Sequence, residues 1–362
     1  MTRHAVIIGG GIGGLTAAIA LRGDGRRVTV HERDAAPPVT GTALGMWPSA
    51  LRALDTIGVG DEVRAVGRPQ RAGAFLRPDG SRIVTLDMDR LRRRTGDDVH
   101  LISRPALLGI LHRAAARAGA ELRAGETADA DVDAELVVAA DGVFSRTREK
   151  IFGVSARFSG GTAWRGVVDD RPTDTFAEVW GRGIKFGVTP QEGGRTNWFA
   201  TAPAPERSFS PGREVAALRR LFGGWADPVR GVLEALDERT VLRHDVYVTP
   251  PLPSFVHGRV ALIGDAAHAM TPDLGRGACE AIIDAVTLAA CVRTHPTIQT
   301  GLTGYDRERR PITQRLARVA GLAARMTRVR HALPVRDQLL RASLLAGPPD
   351  PAGVHSSSTS AA

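Results

Sequence analysis

The chain has 362 residues, 43% hydrophobic and 24% charged, a globular balance with length enough for a substantial core. Its formal net charge of +9 comes from arginine, with lysine only at Lys150 and Lys185; the arginines are scattered, without a recognition module or aromatic-basic platform, which sets nucleic acid aside and leaves charge to steer anionic substrates. Two cysteines, Cys279 and Cys291, exclude a disulfide-stapled scaffold, and no apolar run reaches membrane-spanning length.

Met1-Thr2-Arg3-His4 leads directly into Ala5-Val6-Ile7-Ile8, so no signal peptide and a cytoplasmic location are expected. The four apolar residues read as a buried parallel strand, and Leu15 to Leu21 as the helix after it. Between them stands Gly9-Gly10-Gly11-Ile12-Gly13-Gly14, which holds the dinucleotide pattern Gly-x-Gly-x-x-Gly at Gly9, Gly11 and Gly14. Gly9 makes the tight turn, Gly11 admits a diphosphate to the backbone, and Gly14 lets helix meet strand. The N–H groups at Ile12 and Gly13 then face the phosphates with the positive end of the helix dipole. The next strand, Arg27 to His31, ends at Glu32, placed to accept ribose hydroxyls. An acid there favours FAD or NAD over NADP, although Arg33 follows at once.

Arg104-Pro105 opens a helix, with proline at a first helical position. Leu136 to Ala140 is a buried strand ending in Asp141-Gly142. From Gly160 to Thr249 the texture changes to short strands, among them Thr162–Val168, Ile184–Thr189 and Arg195–Ala200. In the second of these, Ile184, Phe186 and Val188 alternate, so Lys185 points to the other face, where a solvated position is one reading. Val260 to Ile263 returns to a buried strand and ends in Gly264-Asp265. After Pro272 and Gly275-Arg276-Gly277, a helix runs from Ala278 to Val292. Beyond Pro311, apolar residues from Ile312 to Val329 recur at helical spacing and predict an amphipathic helix docked on the core.

Three motifs in this order resemble the single-component flavoprotein monooxygenases of the para-hydroxybenzoate hydroxylase type, over about Ala5 to Arg330. The resemblance implies an α/β fold: a Rossmann-like βαβ FAD-binding domain, an inserted, mostly antiparallel β-sheet substrate domain, and a C-terminal helix. The expected division is a discontinuous FAD-binding domain over 1–66, 98–160 and 257–345, and a substrate domain over 67–97 and 161–256. A polar tail at 346–362 is expected to be disordered.

The resemblance also implies roles. Gly9, Gly11, Gly14 and Glu32 would bind the ADP half of FAD, Asp141-Gly142 the diphosphate region, Gly264-Asp265 the ribityl chain, and Arg104 would help hold the cofactor. No second glycine fingerprint exists, which agrees with a family in which NAD(P)H docks transiently. The turn Gly275-Arg276-Gly277, shaped by Pro272 and opening a helix at Ala278, could stabilise the anionic reduced flavin. Met46-Trp47-Pro48-Ser49, Trp164-Arg165-Gly166-Val167 and Gly275 to Glu280 resemble a branch that includes urate hydroxylases and zeaxanthin-epoxidase-like proteins. In the urate hydroxylases an arginine, a tyrosine and an aspartate surround the purine. Asp273 matches the aspartate, whereas Lys185 and Asn197 stand at the other two positions, which puts urate in doubt.

The implied activity is NAD(P)H- and O2-dependent hydroxylation or epoxidation of an aromatic or conjugated small molecule through a flavin C4a-hydroperoxide. A reductase or dehydrogenase on the same fold is the alternative, and a non-catalytic flavin-binding protein a third. Such a substrate reacts better when deprotonated, so a base is expected. Asp273 leads, followed by His268 and Lys185; Asp273 could instead cap a turn and His268 could be structural. Trp47, Trp164, Phe186, Asn197 and Trp198 are candidates for the pocket wall. No residue is assigned to a metal.

Overall fold

The computed structural model describes residues 3–38, 41–169 and 171–345. The expected disordered tail lies outside them. The apolar segments around the glycine run build a six-stranded sheet. Its order is Val256–His257, Val260–Leu262, Leu136–Ala139, His4–Ile8, Arg27–Glu32, Glu121–Ala124. All its pairings are parallel except that of Val256–His257. Ala5 to Ile8 and Leu136 to Ala139 are buried, as strands covered on both faces must be. The helix Ile12–Gly23 follows the first strand, buried continuously from Ile12 to Leu21 beside the helices Arg104–Arg117 and Gly277–Thr294. Only glycine permits that fit: a Cβ on Gly14 would run into the carbonyl oxygen of Gly9, whose φ is +104°.

The second sheet has seven strands, in the order Leu242–Val248, Arg157–Val168, Arg195–Pro203, Lys185–Gln191, Phe176–Trp180, Gly73–Leu76, Arg82–Thr85. One pair, Phe176–Trp180 with Gly73–Leu76, is parallel and the rest are antiparallel. Its two faces differ. Trp164, Phe186 and Trp198 share one face and pack under Leu218, Phe222 and Val232, on the helices Glu214–Phe222 and Val229–Glu234. Arg165, Lys185 and Phe199 fall on the other, in the alternation of a pleated strand. A small three-stranded sheet, Ala43–Met46, Val99–Ser103 and Arg68–Gln70, completes the strands.

Pro311 does not begin the amphipathic helix as its position suggests; it lies inside one helix, Ile298–Thr327. At about 1.5 Å per residue this helix is roughly 45 Å long. Along it, Tyr305 donates to the Leu262 carbonyl at 2.8 Å, and Arg328 just beyond its end donates to Ser159 O at 2.6 Å. It thus ties the two large sheets together. The last helix, Leu333–Leu345, closes one end of the seven-stranded sheet through Arg336, which donates to the Gly181 carbonyl at 2.6 Å.

Candidate active site

The cofactor-type residues gather at the carboxyl ends of the parallel strands, where open α/β sheets bind ligands. Gly11 caps the helix Ile12–Gly23 without any side-chain partner, and a Cβ there would meet nothing within 4 Å. The helix start, with the N–H groups of Ile12 and Gly13, is left open to an anion. Glu32 is held in place by main-chain donors: Gly10 N–H at 2.7 Å and Asp34 N–H at 3.0 Å. Arg33 is exposed and lies 3.8 Å from Asp34. On the next strand over, Asp141 accepts from Thr147 N–H at 3.1 Å with one oxygen, while the other is buried and has no partner. Gly142 beside it has φ +77°. Asp265 is exposed at the head of the short helix Asp265–His268, following Gly264 at φ +58°. Arg104 is exposed at the start of its helix, its N–H bonded to Thr42 O at 3.1 Å. An open helix start, an oriented ribose-type acid and an orphaned buried carboxylate oxygen fit a bound dinucleotide.

Behind this cradle runs a buried ionic chain. Asp284 accepts from Gly264 N–H at 2.9 Å and from Arg309 Nε at 2.7 Å, and lies 2.5 Å from His268 Nε2. Arg309 also reaches Glu280 at 2.6 Å, and Glu280 holds Arg276 at 2.8 Å. Arg276 in turn donates to Ser49 Oγ at 3.1 Å and lies over the Trp47 ring. Burial alone would lower the His268 pKa, but the Asp284 carboxylate outweighs it and holds the imidazole above its ordinary range. Burial opposes ionisation of Asp284 too, yet His268 and Arg309 bring it down to about 2.

Of the two readings of His268, its 3% exposure and its contact with Asp284 favour the structural one, an anchor of the Gly264-Asp265 turn. The side chain of Arg276 turns inward, leaving only its turn's backbone to face a cofactor beside Pro272, Gly275, Gly277 and Ala278. The spacing Arg276, Glu280, Asp284 at four-residue steps in an apolar helix was the sequence signal for this chain.

The face of the seven-stranded sheet that carries Lys185 holds a second buried cluster. Lys185 Nζ lies 3.1 Å from Glu178 and 3.1 Å from Asp273, with all three side chains largely buried. Trp180 Nε1 donates to the same Glu178 oxygen at 2.6 Å. Burial would depress the lysine pKa, but the two carboxylates outweigh it and the ammonium is held above its usual range. Lys185 is therefore not on a solvated face. Beside it, Phe199 lies across Gly187, so closely that a Cβ on Gly187 would overlap the ring. Asn197 donates to Thr189 Oγ1 and accepts from Ala43 N–H, both at 2.9 Å, bridging this face to the small sheet.

Trp164, Phe186 and Trp198 do not line this surface. Each is 4% exposed or less, and they belong to the core under the two helices, where Trp164 donates to Glu214 at 2.7 Å. Alternation separates the two faces of a strand but does not say which one a helix will cover. Glu178, Gly187 and Phe199 are residues of the face that the sequence reading missed.

The family model described as FAD binding domain matches residues 2–130 and 120–320. The chain belongs to this family. An aurachin C monooxygenase/isomerase from Stigmatella aurantiaca is 35% identical over 319 residues, 83% of each chain. A 2-heptyl-3-hydroxy-4(1H)-quinolone synthase from Mycobacteroides abscessus is 35% identical over 344 residues, 85% of this chain and 86% of its own. Among solved structures, Klebsiella pneumoniae HpxO complexed with FAD and uric acid matches with a TM-score of 0.85 at 30% identity, covering 94% of this chain and 92% of that one. This member of the FAD-binding-domain family is an FAD-dependent monooxygenase, using NAD(P)H and O2. Among the described residues no helix is long and apolar enough to cross a membrane.

Proposed function

We propose that this monooxygenase hydroxylates an uncharged, planar heteroaromatic ring carrying an acidic N–H or O–H, of the 4-hydroxyquinoline kind, and that urate is not its substrate. The overall balance is one substrate C–H, O2, NAD(P)H and a proton giving substrate C–OH, water and NAD(P)+. FAD, when bound, supplies the electron transfer and the activation of oxygen; Gly11 to Gly13, Glu32, Asp141, Asp265 and Arg104 would hold it.

The observation that carries the substrate reading is the commitment of Lys185 to two carboxylates. One ammonium held between Glu178 and Asp273 is spent inside the cluster, so Lys185 has no free charge to offer an anionic ring. The same cluster suits a neutral ring: the Asp273 carboxylate accepts the hydrogen bond of a ring O–H or N–H and pushes electron density toward the carbon that is to be oxygenated. Lys185 fixes the carboxylate's position. The Phe199 ring, which reaches over Gly187, offers an apolar platform for a planar substrate. The relative named 2-heptyl-3-hydroxy-4(1H)-quinolone synthase supports this class.

The experiment compares NAD(P)H oxidation and O2 uptake with 4-hydroxyquinoline and with urate, in wild type and Asp273→Asn. Stimulation by the quinoline and none by urate is expected, with the variant losing kcat about tenfold or more and retaining bound FAD. Faster turnover with urate, or an unchanged rate in the variant, overturns the reading.

A further inference from the structure

Arg165 is the residue of the sheet face that nothing above uses. It sits in the strand Arg157–Val168, directly opposite Phe199 on one neighbour and Leu242 on the other, so its side chain shares the face of Lys185 and Phe199. It is half-buried. Other arginines withdrawn from solvent have oxygen partners: Arg148 reaches the Ala266, Val143 and Val154 carbonyls, Arg243 reaches Glu214, Arg309 reaches Glu280 and Asp284, and Arg336 reaches Asp337. Among the described residues neither Arg165 nor the side chain of Arg104 has a hydrogen-bond or ion-pair partner.

The two arginines stand on neighbouring elements. Arg104 N–H is bonded to Thr42 O, and the adjoining Ala43 N–H is bonded to Asn197, which pairs across the sheet with Val167, two residues from Arg165. Arg165 is close enough to Arg104 and Asp265 for each to act on its charge; burial lowers its pKa, Arg104 lowers it further and Asp265 opposes them. His244, on the same face, is pushed toward its neutral form by burial and then by Arg165. A guanidinium withdrawn from water without an acceptor is costly, and its planar fork matches phosphate oxygens.

We infer that Arg165 and Arg104 form a clamp for the diphosphate of a dinucleotide, Arg104 from the cofactor domain's helix and Arg165 from the substrate sheet opposite. The diphosphate belongs to resident FAD or to the NAD(P)H that visits it, and the experiment separates these. It does not depend on which ring is hydroxylated.

The test uses Arg165→Gln and Arg165→Lys in the full chain, with circular dichroism as the folding control. FAD affinity is read by fluorescence quenching on titrating apoprotein, and NADPH affinity from the concentration dependence of anaerobic flavin reduction. Arg165→Gln should weaken one of the two dinucleotides about tenfold or more, with Arg165→Lys recovering part of the loss. Loss on the FAD arm assigns the clamp to the resident cofactor; loss on the NADPH arm assigns it to the visiting one. Inorganic pyrophosphate should compete for the same arm in wild type. Both affinities within twofold of wild type in folded Arg165→Gln, or a change confined to the organic substrate's KM, overturns the clamp. If the glutamine variant does not fold, Arg165→Lys together with pyrophosphate competition decides by the same criteria.

Discussion

Asp284→Asn is the sharpest perturbation of the buried chain behind the cofactor cradle. The carboxylate takes Gly264 N–H, the His268 imidazole and Arg309 Nε within 2.9 Å. Asparagine keeps the shape but offers one acceptor oxygen and two N–H donors, so at least one of these three groups faces a donor. Breaking a buried pair by removing one charge costs about 3–5 kcal/mol. His268 can become neutral in response, which brings the expected loss to about 3 kcal/mol. With a urea dependence of about 3 kcal/mol per molar, the midpoint should fall by roughly 1 M.

Because the charge that holds His268, Arg309 and the Gly264 N–H together is gone, the turn that presents Asp265 loosens, and FAD affinity should drop about tenfold, or 1.4 kcal/mol. The pH dependence changes too. A carboxyl held at about 2 in the folded protein stabilises it above the ordinary carboxylate pKa, and this is lost as pH falls toward 2. His268, raised, adds stability below its ordinary value of 6.5 that is lost as pH rises through its folded value. Urea titrations from pH 3 to 9, followed by circular dichroism and flavin fluorescence, should show both limbs in wild type and neither in the variant. A loss under about 1 kcal/mol with unchanged FAD binding would refute the reasoning.

Three further outcomes are expected. Gly14→Ala forces a Cβ onto the Gly9 carbonyl, so the purified variant should elute without flavin and unfold earlier by about 2 kcal/mol or more; a yellow, stable variant would count against the role of that close approach. Lys185→Met leaves Glu178 and Asp273 with no cation between them, and like charges then share a proton. The acid limb of the pH–rate profile should move upward by about a unit or more, and an unmoved limb would separate Lys185 from Asp273. Trp164→Phe removes one hydrogen bond to Glu214 in the core and should cost about 1 kcal/mol of stability with kcat unchanged; an equal loss in kcat would return Trp164 to the pocket.

The parts of the site that were legible in the sequence are those fixed by local chain geometry. Gly9, Gly11, Gly14 and Glu32 announce themselves because a tight turn, an open approach and a strand end are short-range requirements. Asp265 is legible for the same reason, standing at a strand-to-helix turn. What stayed hidden depends on which strands become neighbours. Glu178 meets Lys185 only because Phe176–Trp180 and Lys185–Gln191 fold back on each other, and Phe199 has room for its ring only because the residue opposite it is Gly187. Trp164, Phe186 and Trp198 alternate correctly, yet the helices Glu214–Phe222 and Val229–Glu234 choose their face, a choice no strand pattern records. His268 was open to a structural and a reactive reading because its partner, Asp284, is sixteen residues away on another helix. Pro311 read as a boundary, but the helix continues through it, with Arg309 and Thr313 on either side buried in the core.

A monooxygenase leaves one atom of O2 in its product. The purified flavoprotein would be given NADPH, isotopically labelled O2 and whichever ring compound stimulates flavin reduction, and the product analysed by mass spectrometry. One labelled oxygen in each product molecule, with one NADPH consumed for it, is expected. An unlabelled product, reduced or dehydrogenated while FAD is fully bound, would contradict it.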